Sequence, residues 1–396
     1  MLSLDQVFNA QTVLKSIIRE THVVRAYGIA PECELFLKPE NLQITGSFKV
    51  RGSAYKLAML SDAEKEKGVI ACSAGNHAQG VALAASRCGI RSVICLPDTA
   101  PISKVEATKS YGAEVCLVEG CYDDACRRAR ELQSEHGYTF VHPFDDEYVI
   151  AGQGTIALET IHDLDGIDAV IVPIGGGGLI SGIAYTIKQI RPSIKVYGVQ
   201  AAGAPSMYQS IRENGIRCLP SVQTIADGIA VKQPGENTFA LVGQYVDDIA
   251  LVSDDEVSSA ILALIERQKM IAEGAGAVSV AAAMFGKFPI AGKRVVSIVS
   301  GGNIDVTSLS RVIDRGLRNS GRSTSLLIEL IDKPGQLKEI SRIIADCGGN
   351  VTGVHYEKGH TESVNGCFLR IEMETRDFDH VRLITQSLRG EGFKIV

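Results

Sequence analysis

Residues 168–200 read DAVIVPIGGGGLISGIAYTIKQIRPSIKVYGVQ. An apolar run of strand length, DAVIVPI, breaks at four glycines, enters a segment of helical character and returns to a second apolar run, IKVYGVQ. Strand, turn, helix and strand in that order form the unit of a parallel sheet, because parallel neighbours need a long crossover. The same rhythm fills residues 68–198, where GVIACSA, RSVICLP, AEVCLVE and YTFVHP alternate with helical stretches such as ISKVEATKSYG. It continues through DIALVS, the acidic-headed helix DDEVSSAILALIERQKM, the small-residue helix EGAGAVSVAAAMF and the strand RVVSIVS. These strands are apolar at nearly every position, as expected where helices cover both faces of a sheet. The fold class is α/β, and ligands are expected at the carboxyl ends of the strands.

Beyond the helix that ends near Arg318, the polar stretch NSGRSTS has the character of a linker. From Ser325 onward the order is strand SLLIELI, turn DKPG, helix QLKEISRIIADC, a GGN stop, strands VTGVHYE and GCFLRIEMET, a helix from about Asp379 and strand FKIV. That order, βαββαβ, is a ferredoxin-like motif. Residues 1–318 are therefore expected to form one domain, with a smaller subdomain at about 50–143, and residues 325–396 a second.

Composition narrows the function. Of 396 residues 45% are hydrophobic and 22% charged, enough apolar surface for globular packing throughout. The formal net charge of −6, with basic residues scattered, leaves no footprint for nucleic acid or an anionic membrane, so small molecules are the expected partners. The ten cysteines lack paired CxxC spacing, and Cys72, Cys88, Cys95 and Cys116 fall in apolar runs, where a thiol serves as a small core group. A reducing cytoplasm is expected, without disulfides or zinc. No signal core or spanning stretch is present.

Several short segments carry chemistry. Residues 45–52, TGSFKVRG, put Lys49 at the head of a helix, where the dipole favours the neutral amine. Most lysines so placed are surface groups, and context has to decide. Residues 73–80, SAGNHAQG, form a small-residue turn between a strand and a helix, whose free N–H groups from Ser73, Ala74, Gly75, Asn76 and His77 suit a substrate carboxylate. The His77 ring itself reads as a hydrogen-bonded structural group. Gly175, Gly176, Gly177 and Gly178, followed by Leu179, let the backbone close around a phosphate at a helix amino terminus. They do not make a dinucleotide fingerprint, because the glycines are contiguous and no acidic residue ends the next strand. Residues 300–303, SGGN, end another strand.

Taken in order, GSFKVRG, SAGNHAQG, GGGGL, TIADG and SGGN resemble the threonine dehydratase family of fold-type-II pyridoxal 5'-phosphate (PLP) enzymes over nearly all of the first 315 residues. The resemblance implies two parallel-sheet subdomains and the deamination of L-threonine to 2-oxobutanoate and ammonia, with L-serine to pyruvate as a secondary reaction. It also implies site roles: Lys49 as Schiff-base lysine and catalytic base, Phe48 against the cofactor ring, Asn76 on its phenolic oxygen, the four glycines with Leu179 at its phosphate, and Ser300 at its pyridine nitrogen. The tail resembles an ACT regulatory domain, which implies an amino-acid effector near Gly335 and Asn350 and a homo-oligomer, dimer or tetramer. Serine racemase shares these motifs but carries a serine where Ala74 stands, and Gln200 occupies the place of an acidic cation ligand, so no metal is expected. A serine dehydratase or a non-catalytic amino-acid sensor would share much of the same pattern. The joint presence of Lys49, Asn76 and Ser300 speaks against the sensor.

Overall fold

The computed structural model describes residues 2–357 and 366–396. The chain divides into two compact units, Met1–Leu309 and Ser310–Val396. In chain order the strands of the first unit are β1 (Val24–Arg25), β2 (Glu34–Pro39), β3 (Val69–Cys72), β4 (Ser92–Pro97), β5 (Glu114–Val118), β6 (Thr139–Phe140), β7 (Ala169–Pro173), β8 (Lys195–Ala201), β9 (Asp248–Val252) and β10 (Arg294–Val299). They build a sheet of order β1-β2-β10-β7-β8-β9 and a smaller one of order β5-β4-β3-β6. Apart from the antiparallel β1–β2 pair, every ladder in both sheets is parallel.

Apolar runs become buried strands here: β3, β4 and β7 are buried at every position, while the edge strand β5 is not. Isoleucine, valine and alanine from β7, β8, β10 and the helix Gly178–Ile190 form the core of the larger sheet. Cys72 and Cys95 lie in the core beneath the smaller sheet, as read from sequence. Cys88 does not: it is exposed, because it is the last residue of its helix. Among the described residues no helix is long and apolar enough to cross a membrane.

The carboxyl ends of β3, β7 and β10 run directly into the SAGNH, GGGG and SGGN turns. Their helices, Asn76–Cys88 and Gly178–Ile190, therefore point their amino termini at the sheet edges. The helix Lys49–Ala58 packs against the Asn76 helix and against a long helix, Glu147–Asp163.

The second unit adds β11 (Ser323–Ile331), β12 (Asn350–Glu357), β13 (Gly366–Glu374) and β14 (Lys394–Ile395), an antiparallel sheet of order β12-β13-β11-β14. Its helices Gln336–Asp346 and Phe378–Gly390 close one core with Ile328, Ile344, Ile371 and Ile384. The βαββαβ order is as read from sequence.

Candidate active site

Lys49 opens its helix and donates from Nζ to the carbonyl of Pro143 at 2.8 Å. Burial pulls its ammonium down to about 8, against the opposing pull of the Glu273 carboxylate. The lysine is held by the turn that ends β10: Ser47 bridges Gly301, the N–H of Phe48 donates to Ser300 O at 3.1 Å, and that of Gly302 donates to Gly46 O at 2.9 Å. Gly46 has φ +70°, and a side chain there would run into Asn303. Two motifs that lie far apart in the chain thus form one surface. Phe48 packs against the core of the larger sheet, with its ring centroid 5.3 Å from Lys49 Nζ.

The glycine turn lies close against its neighbours, and side chains there would collide with them. A methyl group on Gly176 would run into the Phe144 ring, and one on Gly178 would approach Phe144 O to 2.7 Å. Gly177 has φ +101° and lies against Met207 and Thr238. The first N–H groups of the following helix have no intrahelical acceptors, so Gly178 and Leu179 offer donors to an anion. The Leu179 side chain is buried in the core, which leaves only its backbone for that task. Those donors suit a phosphate, which makes the turn a candidate cradle for one.

Ser73 Oγ accepts the N–H of Gly75 at 3.2 Å, and Gly75 caps the Asn76 helix. A methyl group on Gly75 would meet open space. Ala74 packs against the core of the smaller subdomain and offers no polar group. The His77 ring meets Val141 O at 2.9 Å, and burial, then Lys49, pull its pKa down to about 3. It is a neutral structural histidine, and only its backbone N–H is available to a ligand. Ser300 is 2% exposed and donates to Ala275 O at 3.2 Å. Gln200 Oε1 accepts the N–H of Tyr208 at 2.7 Å.

Sequence reasoning passed over Glu273. It precedes the helix Gly274–Met284 and accepts from Asn76 Nδ2 at 2.6 Å. Burial, reinforced by the Asp227 carboxylate, pushes its carboxyl up to about 7. Only its position at the head of the EGAGA helix could have marked it, and acidic residues there are ordinary. In the second unit Gly335 caps a helix with φ +95° and is exposed, and Asn350 Nδ2 donates to Glu374 at 2.9 Å.

Comparison with known proteins identifies the wider kinship. Residues 14–301 match the family model described as pyridoxal-phosphate dependent enzyme. L-threonine ammonia-lyase of Thermotoga maritima is 45% identical over 100% of this chain and 99% of its own length. Among solved structures, threonine deaminase isoform 2 from Solanum lycopersicum (TM-score 0.75, 38% identity) covers 79% of this chain and is itself covered to 89%. Maize serine racemase (TM-score 0.75, 36% identity) covers 80% of this chain and is itself covered to 98%.

Proposed function

The chain belongs to the family of pyridoxal-phosphate dependent enzymes, and from that premise we propose that it acts as a threonine ammonia-lyase, converting L-threonine to 2-oxobutanoate and ammonia and L-serine to pyruvate. The observation that carries this reading is identity along the whole chain, both units included, with a relative of that name. Bound in the site, PLP would supply the electron sink that lets the Cα–H bond break and the β-hydroxyl depart. Lys49, whose amine loses its proton near pH 8, is the group that takes the α-proton at Nζ. The amino terminus of the Asn76 helix receives the substrate carboxylate, and the cradle from Gly175 to Gly178 receives the phosphate. Ser300, whose hydroxyl donates to Ala275 O, would meet the ring nitrogen as a neutral partner by turning from that carbonyl.

A second reading, racemisation, is favoured by the likeness to serine racemase. It requires a proton donor on the far face of the substrate, and Ala74 supplies none. The second unit is taken as an ACT domain whose amino-acid effector binds near Gly335 and Asn350 in a homo-oligomer, dimer or tetramer. Ten free cysteines suit a cytosolic setting.

Purified protein supplied with PLP should release 2-oxobutanoate and ammonia in equal amounts from L-threonine, while residual L-serine stays free of the D-isomer. Replacement Lys49→Ala should lower turnover by at least roughly 10²–10⁴-fold. Turnover of threonine near the wild-type rate in that variant, or D-serine formation by the wild type, would overturn the assignment.

A further inference from the structure

Each buried carboxylate of the Arg51 cluster has a cationic partner: Glu40 is paired with Arg51, and Glu159 with Arg51 and Lys38. Glu273 is 4% exposed, and among the described residues it makes no ion pair. An unpaired buried carboxyl is costly to ionise and is retained where it has work to do.

Its partners define that work. Asn303 Nδ2 donates to Thr45 O at 2.7 Å and to Asn76 Oδ1 at 2.8 Å. Both N–H bonds of Asn303 are thereby used, which fixes Asn76 Oδ1 as an acceptor and Asn76 Nδ2 as a donor. One Nδ2–H goes to Glu273 at 2.6 Å, and the other is left over. Glu273 is held in turn by its own N–H on Gly301 O at 3.0 Å. A methyl group on Gly301 would run into its carboxyl oxygen. The relay Thr45, Asn303, Asn76 and Glu273 therefore joins the lysine loop, the SGGN turn and the Asn76 turn.

Resting on the PLP-dependent reading above, we propose that Glu273 is a positioning residue for the reaction: through Asn76 it presents one fixed N–H to the cofactor's phenolic oxygen and sets the charge beside it. A neutral Glu273 makes an ordinary hydrogen bond to Asn76, and an ionised one makes a charge-assisted bond that places negative charge one side chain from that oxygen. Ionisation occurs near neutrality, since the carboxyl is pushed up to about 7 by burial and Asp227. The charged groups that act on it are Asp227, which opposes ionisation, and Lys104 and Lys49, which favour it. Lys104 itself is paired with Asp227 at 2.8 Å.

The test uses PLP-loaded wild-type protein with the Glu273→Gln and Glu273→Ala variants. It reads the visible cofactor band from about pH 5.5 to 9.5, cofactor affinity by fluorescence, and kcat against KM for L-threonine. The wild type should show a spectral inflection near pH 7. Glutamine keeps an acceptor for Asn76, so Glu273→Gln should bind cofactor within about threefold of wild type yet lose the inflection. Alanine frees the Asn76 amide, so Glu273→Ala should weaken cofactor binding about tenfold and lower kcat more than it raises KM. Should the alanine variant not fold, the glutamine variant decides alone. Retention of the wild-type inflection in Glu273→Gln, or its absence from the wild type, overturns the proposal and leaves the lyase assignment standing. Failure of the wild type to take up PLP at all overturns both.

Discussion

Arg51 follows the lysine by two positions and is fully buried, with its guanidinium between two carboxylates. Its Nε and Nη2 donate to Glu40 at 2.8 Å each, Nη1 and Nη2 donate to Glu159 at 2.5 and 2.8 Å, and Nη1 also reaches Thr155 at 3.1 Å. Lys38 completes the cluster at 2.6 Å from Glu159 and donates to Thr21 O, so two cations face two anions. Removing one partner of such a group leaves an uncompensated buried charge. Arg51→Met should therefore destabilise the protein by about 3–5 kcal/mol, read as a lower urea midpoint; a loss under about 1 kcal/mol would show that the cluster is not needed. The arginine was visible in the GSFKVRG motif, but its role was not, because its partners lie 11 and 108 positions away. Lys49 and Glu273 illustrate the same limit. The motif pointed to the lysine, whereas the glutamate acquires its meaning only from Asn76, 197 residues earlier. In cofactor-free protein the depressed pKa of Lys49 should also be measurable directly. Only the neutral amine reacts with an acylating reagent, so labelling should rise with pH through about 8, while exposed lysines follow near about 10.4. A Lys49 midpoint equal to theirs would remove the basis for its role as base near neutral pH.

Strand, glycine turn and helix act as one element at residues 169–190. The buried strand β7 fixes where the chain emerges, and the glycines let it turn against Phe144, Met207 and Thr238 without collision. Gly176→Ala should force the Phe144 ring aside at a cost of about 1–3 kcal/mol and weaken cofactor binding at least about tenfold, measured by thermal unfolding and by cofactor titration. Unchanged affinity would show that this turn is not the phosphate cradle. This element was legible because uninterrupted apolar runs bounded by glycine fit few folds besides a parallel sheet. The pair β1 and β2 was not, since ELFLKP carries Glu34, Lys38 and Pro39. Lys38 is fully buried within the Arg51 cluster, so a position near one edge of the larger sheet is filled by a residue that sequence patterning treats as solvent-facing. The helix read through residues 254–270 also differs: the α form ends at Ala263, and wider π turns run over Leu264–Gln268 to Lys269 at φ +57°.

At the scale of the molecule, the cores of the two sheets in the first unit are built from residues up to Ile298, and every residue given a catalytic or cofactor role lies before Asp305. The second unit has its own core, from Ile328 to Leu388, with a helix that begins just after DKPG and a φ of +88° at Gly348 where that helix stops. Free N–H groups at the first place suit the carboxylate of an amino acid, while the second lies a helix length of roughly 16 Å away, beyond the reach of the same ligand within one chain. An effector bound there can change the rate only by preferring one of two conformations, with a coupling typically of about 1–3 kcal/mol, and the chemistry itself does not depend on it. A chain ending at Asn319, which retains the whole helix Val306–Asn319, should therefore still deaminate threonine but lose its response to whichever amino acid modulates the full-length enzyme. Steady-state rates of both forms against a panel of amino acids make the comparison, with binding to the separate Ser325–Val396 fragment followed by calorimetry. An unaltered effector response in the shortened chain, or a folded fragment that binds none of the amino acids, would place regulation in the catalytic unit instead.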